Sequence, residues 1–294
     1  MMRRKHTAAM TATLLKSCLA TEETLMLPSL QGWAQRLKEA PGHLHRKVWE
    51  WCFISQALAE RGMLEPGRKG LGFAVGQEPL TAAFASCGAD ILATDLFSEQ
   101  AQARGWIETA QHAEGFAAIN KRGLCDDGAL RQRVRFQFAD MNAIDPEFEG
   151  RFDFVWSACA FEHLGSLEHG ARFVLNSMRC LKPGGIAVHT TEYNVSSNGP
   201  TVETGATVLY RRRDIEDIVR RLRREGHQIE VDFRPGRTAA DRFIDLPPYK
   251  HDVHLKIQIA SFVSTSIGLI VRKSAGRTGL DWLKWTAGRL FPIS

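Results

Sequence analysis

Nowhere in its 294 residues does the chain have an apolar run near the roughly 20 residues that cross a bilayer, so no helical membrane span is expected. The opening stretch, MMRRKHTAAMTATLLKSCLA, is basic. Lys16 interrupts its short apolar run and no clean small-residue cleavage site follows, which makes a poor secretory signal. Paired cysteines are missing too. Cys18, Cys52, Cys87, Cys125, Cys159 and Cys180 lie far apart, with no C-x-x-C spacing, so neither a zinc knuckle nor a redox pair is indicated. Scattered thiols act as small buried apolar groups in a reducing compartment, and a cytoplasmic location is expected. There is no internal repeat and no low-complexity tract. Charge of one sign is only in modest excess, 38 − 33 = +5.

What is present is the composition of a chain that buries a core: 44% apolar and 24% charged residues, neither disordered nor collagenous. The positive excess gathers in Arg211, Arg212 and Arg213 and in Arg220, Arg221, Arg223 and Arg224. Between them Ile215, Ile218, Val219 and Leu222 form an apolar stripe at helical spacing. The arginines are therefore read as the wet side of that helix, and no nucleic-acid partner is expected.

Residues 1–66 read as an N-terminal helical cap. From Lys47 to Arg61, Val48, Trp51, Cys52, Leu58 and Ala59 share one face, and Gly62 and Pro66-Gly67 end the helix. From residue 67 to 273 the pattern alternates. Short apolar runs at Leu71–Val75, Asp90–Thr94, Val134–Ala139, Phe152–Ser157 and Ile186–Thr190 read as strands. Amphipathic helices separate them at Pro79–Cys87, at about Glu99–Ala113 and across Leu167–Leu181, and Lys182-Pro183-Gly184-Gly185 reads as a sharp turn. Apolar strands alternating with helices specify an α/β fold with a doubly wound, mainly parallel sheet. After the Arg211–Glu225 helix come strands at His227–Phe233 and about Phe262–Lys273, with an irregular segment at 234–260 between them, read as an inserted lid. Residues 274–294 read as a C-terminal tail, weakly amphipathic at 281–291, which could touch a membrane surface or pack on its own protein.

In an open parallel sheet the ligand lies beyond the carboxyl ends of the strands. The first strand leads into Gly72-Phe73-Ala74-Val75-Gly76-Gln77-Glu78-Pro79, where Gly76 lets backbone approach a ligand and a helix N-terminus follows. Asp95 ends the second strand, where a carboxylate can accept both hydrogen bonds of a ribose diol. Asp140 ends the third strand and can accept from an adenine amino group. The fourth leads to Ala160-Phe161-Glu162-His163-Leu164. Each carboxylate alone is also a plausible helix cap; their placement on successive strand ends favours a nucleoside.

The set Gly72–Glu78, Asp95, Ala139-Asp140-Met141, Phe152-Asp153-Phe154-Val155, Phe161-Glu162-His163-Leu164 and Leu181-Lys182-Pro183-Gly184-Gly185 resembles the class I S-adenosylmethionine-dependent methyltransferases over roughly residues 70–190. The resemblance implies a Rossmann-like sheet closed by an antiparallel hairpin, with S-adenosyl-L-methionine as cofactor. It implies that Asp95 binds the ribose, Asp140 the adenine amino group and Met141 the ring, with Ser157 and Ala158 lining the methionine side. The family's acidic residue and three alternating glycines fall on Gly72, Ala74, Gly76 and Glu78. Glu78 is the candidate to meet the cofactor's α-ammonium in place of the missing acid, with a carboxylate favoured by the helix N-terminus as the alternative.

A hydroxyl acceptor needs a base, and His163 is the first candidate because imidazole titrates near neutrality, with Glu162 as alternative or orienting partner. His189, Glu192 and Tyr193 crowd the end of the fifth strand and are expected to face substrate. His251 and His254 could bind a metal, but no clear third ligand is visible, and none is expected. Arg234, Arg237, Arg242 and Lys250 in the lid suit an acidic or sugar-phosphate acceptor. The resulting expectation is a methyl transfer to a hydroxyl of a small molecule or saccharide. The alternatives are a non-catalytic binding protein of the same fold or a nicotinamide-dependent dehydrogenase, whose G-x-G-x-x-G fingerprint is absent. Oligomeric state has no sequence signal.

Overall fold

The structure, a computed structural model, describes residues 14–96 and 116–275. The helix expected at about 99–113 and the tail at 281–291 lie outside them. Among the described residues thirteen strands run in chain order as β1 (Ser17–Leu19), β2 (Leu44–His45), β3 (Lys69–Gly72), β4 (Asp90–Asp95), β5 (Val134–Phe138), β6 (Phe152–Ala158), β7 (Gly165–Ser166), β8 (Leu181–Asn194), β9 (Thr204–Gly205), β10 (Val231–Asp232), β11 (Val253–His254), β12 (Ile257–Ile259) and β13 (Phe262–Arg272). Nine of them form one sheet in the order β10-β1-β13-β8-β6-β3-β4-β5, with β12 alongside β13. The β8-β6-β3-β4-β5 half is parallel, and β13 runs antiparallel to β8. The order reverses between β3 and β6, the switch point where ligands of such sheets bind.

Two differences from the sequence pattern stand out. The closing antiparallel strand is present, but β1 lies between β13 and β10, antiparallel to the first and parallel to the second. Three residues are too few to display a period of two, so this strand was not legible. The segment 182–185 is a bulge within β8 rather than a turn before it. Leu181 already pairs with Phe152, and pairing resumes at Ile186 with Phe154.

Helices at Pro28–Arg36, Arg46–Ala59, Leu80–Ser86 and Asp127–Arg133 cover one face, packing on Phe154, Trp156 and Val188. Those at Leu167–Cys180 and Arg212–Arg224 cover the other, packing on Val155, Ala187 and Leu269. The Arg46–Ala59 helix approaches β13 so closely that a Cβ on Gly268 would stand 2.2 Å from Phe53, so any side chain there would push the helix off the sheet. On the Arg212–Arg224 helix the predicted stripe is buried. Three of its arginines meet carboxylates: Arg212 with Glu216, Arg220 with Asp217, and Arg221 with Glu168 and Asp217.

Segment 234–260 is built differently from a cover. Asp241 is buried and accepts the Glu22 amide (2.8 Å), and β11 pairs in parallel with β2, just before the Arg46–Ala59 helix. Its basic residues include Arg234, bound to Asp232.

Candidate active site

The carboxyl ends of β3, β4 and β6 and the first turn of the Arg46–Ala59 helix enclose a cavity of about 260 Å³. Its lining is Lys47, Trp51, Ala74, Gly76, Gln77, Glu78, Asp95, Ala158, Cys159, Ala160 and His163. Two non-glycine residues in the left-handed region, Ala74 (φ 47°) and Cys159 (φ 45°), both lie on this wall. Such conformations cost about 1–3 kcal/mol each and concentrate at functional sites.

Asp95 is buried. Its Oδ2 accepts the Gly76 amide (3.1 Å) and its Oδ1 the Leu96 amide (2.8 Å), so the end of β4 fixes the glycine turn. Glu78 Oε1 lies 3.2 Å from Lys47 Nζ. Burial raises the Glu78 carboxyl above its usual range against the pull of Lys47. His163 sits at the end of the turn after β6. Its Nδ1 is 2.8 Å from the Ala206 carbonyl, which can only accept, so Nδ1 carries the proton and the basic lone pair is on Nε2.

Behind the cavity lies a buried charge network. Glu50, fully buried, receives Lys47 (3.1 Å), Arg46 (3.3 Å), the Cys159 thiol (3.0 Å) and the Ser266 hydroxyl. Burial alone would raise its carboxyl; Lys47, Arg46 and those hydrogen bonds together hold it below the ordinary value. Arg46 also binds Glu192 (2.5 Å), which accepts from Ser264 (2.6 Å). Glu162 Oε2 accepts from Thr191 (2.9 Å), while its Oε1 has no partner among the described residues. Burial, reinforced by Glu192, raises the Glu162 carboxyl.

The sign of that shift gives a test. The unfolded chain releases the Glu162 proton near about pH 4.3, whereas the folded protein keeps it to higher pH. The stabilisation is fully present below the unfolded value and is lost as pH rises through the folded one. Glu162→Gln is expected to flatten this loss, read as the slope of urea-unfolding free energy against pH above 4.3. An unchanged slope would show that another group causes it.

The structure brings Gly76, Glu78, Asp95, Ala158 and His163 to one cavity and separates the other expected site residues from it. Glu162 lies behind Cys159, fully buried, and does not line the cavity, which corrects its reading as the alternative base. Gly72 is a packing position: a Cβ there would stand 2.4 Å from Trp156, whose ring fills the space of the family's acidic side chain. Ser157 points to the opposite face, where its Oγ meets His189 Nδ1 (2.8 Å). Asp140 caps its own turn at the Asn142 amide (2.8 Å), and Met141 is buried in the far core layer. None of 234–260 lines the cavity, so among the described residues this segment is no lid over it.

The supposed substrate cluster on β8 is split by the pleat. Successive side chains alternate faces, so Glu192 meets Arg46 on one side while His189 and Tyr193 point to the other. His189 is enclosed between Ser157 and Ser177 (3.1 Å), and burial lowers its pKa to about 3, leaving a neutral core histidine. Tyr193 packs against Phe233.

Lys47, Trp51 and Cys159 on the wall, and Arg46 and Glu50 behind it, were missed by the sequence reading. One signal was available: two cations in the first turn oppose the helix dipole, so something else must hold them there.

Residues 71–189 match the family model described as a methyltransferase domain. No curated protein sequence matches the chain. Similar solved structures include the cyclase SpnF, at 18% identity over 76% of this chain and 80% of that one, with a TM-score of 0.47. A putative sarcosine dimethylglycine methyltransferase from Galdieria sulphuraria is 14% identical over 85% of this chain and 99% of that one, with a TM-score of 0.46. A putative methyltransferase from Bacillus halodurans C-125 is 18% identical over 74% of this chain and 97% of that one, with a TM-score of 0.44. The family match lies on the strands that build the cavity, so residues 71–189 carry a methyltransferase domain, consistent with a class I enzyme that uses S-adenosylmethionine as its cofactor.

Proposed function

We propose that the enzyme methylates a hydroxyl of a small molecule or saccharide, in the cytoplasm, with His163 as general base. The observation that carries this reading is the 2.8 Å contact between His163 Nδ1 and the Ala206 carbonyl. The Ala206 carbonyl holds the proton on Nδ1 and leaves the basic Nε2 on a residue of the cavity wall. A wall of Lys47, Glu78 and His163 with one aromatic, Trp51, suits a hydroxylated acceptor better than an apolar one. Six free thiols suit a reducing compartment.

The donor set fits the cofactor. Asp95, a buried carboxylate at the end of β4, is the ribose ligand. Glu78 and Lys47 form an opposite-charge pair that matches an α-amino acid: the carboxylate for its ammonium, the ammonium for its carboxylate. The bound cofactor supplies an activated sulfonium methyl. The chain's own work is to orient the acceptor in line, exclude water and take up the acceptor's proton at His163 Nε2.

Calorimetric titration of S-adenosylhomocysteine tests the cofactor part. Asp95→Asn removes a charge-assisted acceptor and is expected to weaken binding about 10–100-fold. Unchanged affinity would remove Asp95 from the site. Methyl-labelled cofactor with a panel of sugars, phenols and amines tests the acceptor part: label on oxygen supports the reading, and label confined to nitrogen or carbon overturns it.

A further inference from the structure

We infer that His45, His251 and His254 form a binding site for a divalent transition-metal ion of the zinc class. The three side chains each offer a nitrogen, and these atoms lie within 4.8 Å of one another. They come from segments some 200 residues apart in sequence, joined because β2 and β11 pair in parallel with His254 opposite His45. The rings are mutually close, with centroids 4.5 Å apart for His45 and His254 and 4.3 Å for His251 and His254.

The surroundings are those of a ligand set rather than of a chance histidine cluster. Asp245 is buried and accepts from His254 Nδ1 at 2.7 Å, which fixes the tautomer and leaves the His254 Nε2 lone pair for a metal. Asp245 is itself held by the amides of Lys250 and His251, each at 3.0 Å. An imidazole oriented by a fixed carboxylate is the recurring outer-shell partner of zinc-binding histidines. Imidazole nitrogens select borderline ions over calcium or magnesium, which take oxygen ligands.

Binding asks for two adjustments. Nitrogens around a tetrahedral zinc stand about 3.3 Å apart, so the rings must close by about 1.5 Å. His45 Nδ1 now accepts the Lys47 amide at 3.1 Å, and ligation by His45 gives up that capping bond. Three protein nitrogens leave a fourth position for water or an acceptor oxygen. The ion would pin residues 245–254 to the start of the Arg46–Ala59 helix, two residues before Lys47 on the cavity wall.

The site does not rest on methyl transfer, and its test does not use it. The full-length protein, stripped with EDTA, is titrated with zinc chloride by calorimetry, and with cobalt chloride by visible absorption. One equivalent per chain is expected, with a tetrahedral cobalt spectrum. His251 is exposed with φ 64°, a conformation glycine adopts freely, so His251→Gly should fold and should weaken zinc binding at least about 100-fold. Asp245→Asn should weaken it about 10–100-fold. Absence of stoichiometric binding by the wild type overturns the proposal. So does binding that His251→Gly leaves unchanged, which would place the metal elsewhere, for example at Cys159, Glu162 and Glu192.

Discussion

Replacing His163 by alanine is expected to lower kcat by about 10²–10⁴-fold, the range of general-base contributions, while leaving S-adenosylhomocysteine affinity nearly unchanged. The histidine is on the cavity wall, and its Nδ1 is committed to the Ala206 carbonyl at 2.8 Å. Truncation removes the proposed acceptor of the substrate's proton without touching Asp95, Glu78 or Lys47. A comparable loss in cofactor affinity would instead make His163 part of the binding wall. A kcat within about threefold of wild type would mean that the acceptor needs no base, as for an amine or a ring carbon.

Glu50→Ala is expected to destabilise the fold by about 3–5 kcal/mol, the cost of removing the carboxylate that two cations share inside a buried network, even though Arg46 keeps Glu192 and Lys47 keeps Glu78. Glu50 is fully buried and is the common acceptor for Arg46, Lys47, Cys159 and Ser266. Urea unfolding of the variant at pH 7 measures the loss, and a change below about 1 kcal/mol would show that water takes over the role of the carboxylate. The pH dependence has its own sign. The Glu50 carboxyl titrates lower in the folded protein than in the unfolded chain, despite burial, because of the cations around it. Its stabilisation is therefore present above the unfolded carboxylate value and is lost as pH falls through the folded one. Glu162 has the opposite slope, so stability is expected to weaken on both sides of an intermediate pH.

These two groups show what local sequence can carry. Glu162 was legible as a strand-end residue, but its neighbours were not. Whether a carboxylate beyond β6 opens to the cavity or turns behind Cys159 depends on what the next strand and the Arg46–Ala59 helix place around it. His189, Glu192 and Tyr193 looked like one cluster because they are close in sequence. A pleated strand sends positions an odd number apart to opposite faces, and only the covering helices say which face is wet. Trp156 explains in the same way why Gly72 stands where the family has an acid.

By itself, the order of apolar runs and amphipathic stripes determined the parallel sheet, its helices and the strand-end positions of Gly76, Asp95 and His163. Those signals are local, with periods of 2.0 and 3.6 residues, and survive in any reading of the chain. Tertiary structure alone decided the rest. It inserted Ser17–Leu19 beside Phe262–Arg272, put Lys47 and Trp51 on the cavity wall, and brought His45 to His251 and His254. Such contacts join segments far apart in the sequence. They form because sheet edges and apolar faces must be covered, a constraint set by the whole fold and written in no local pattern.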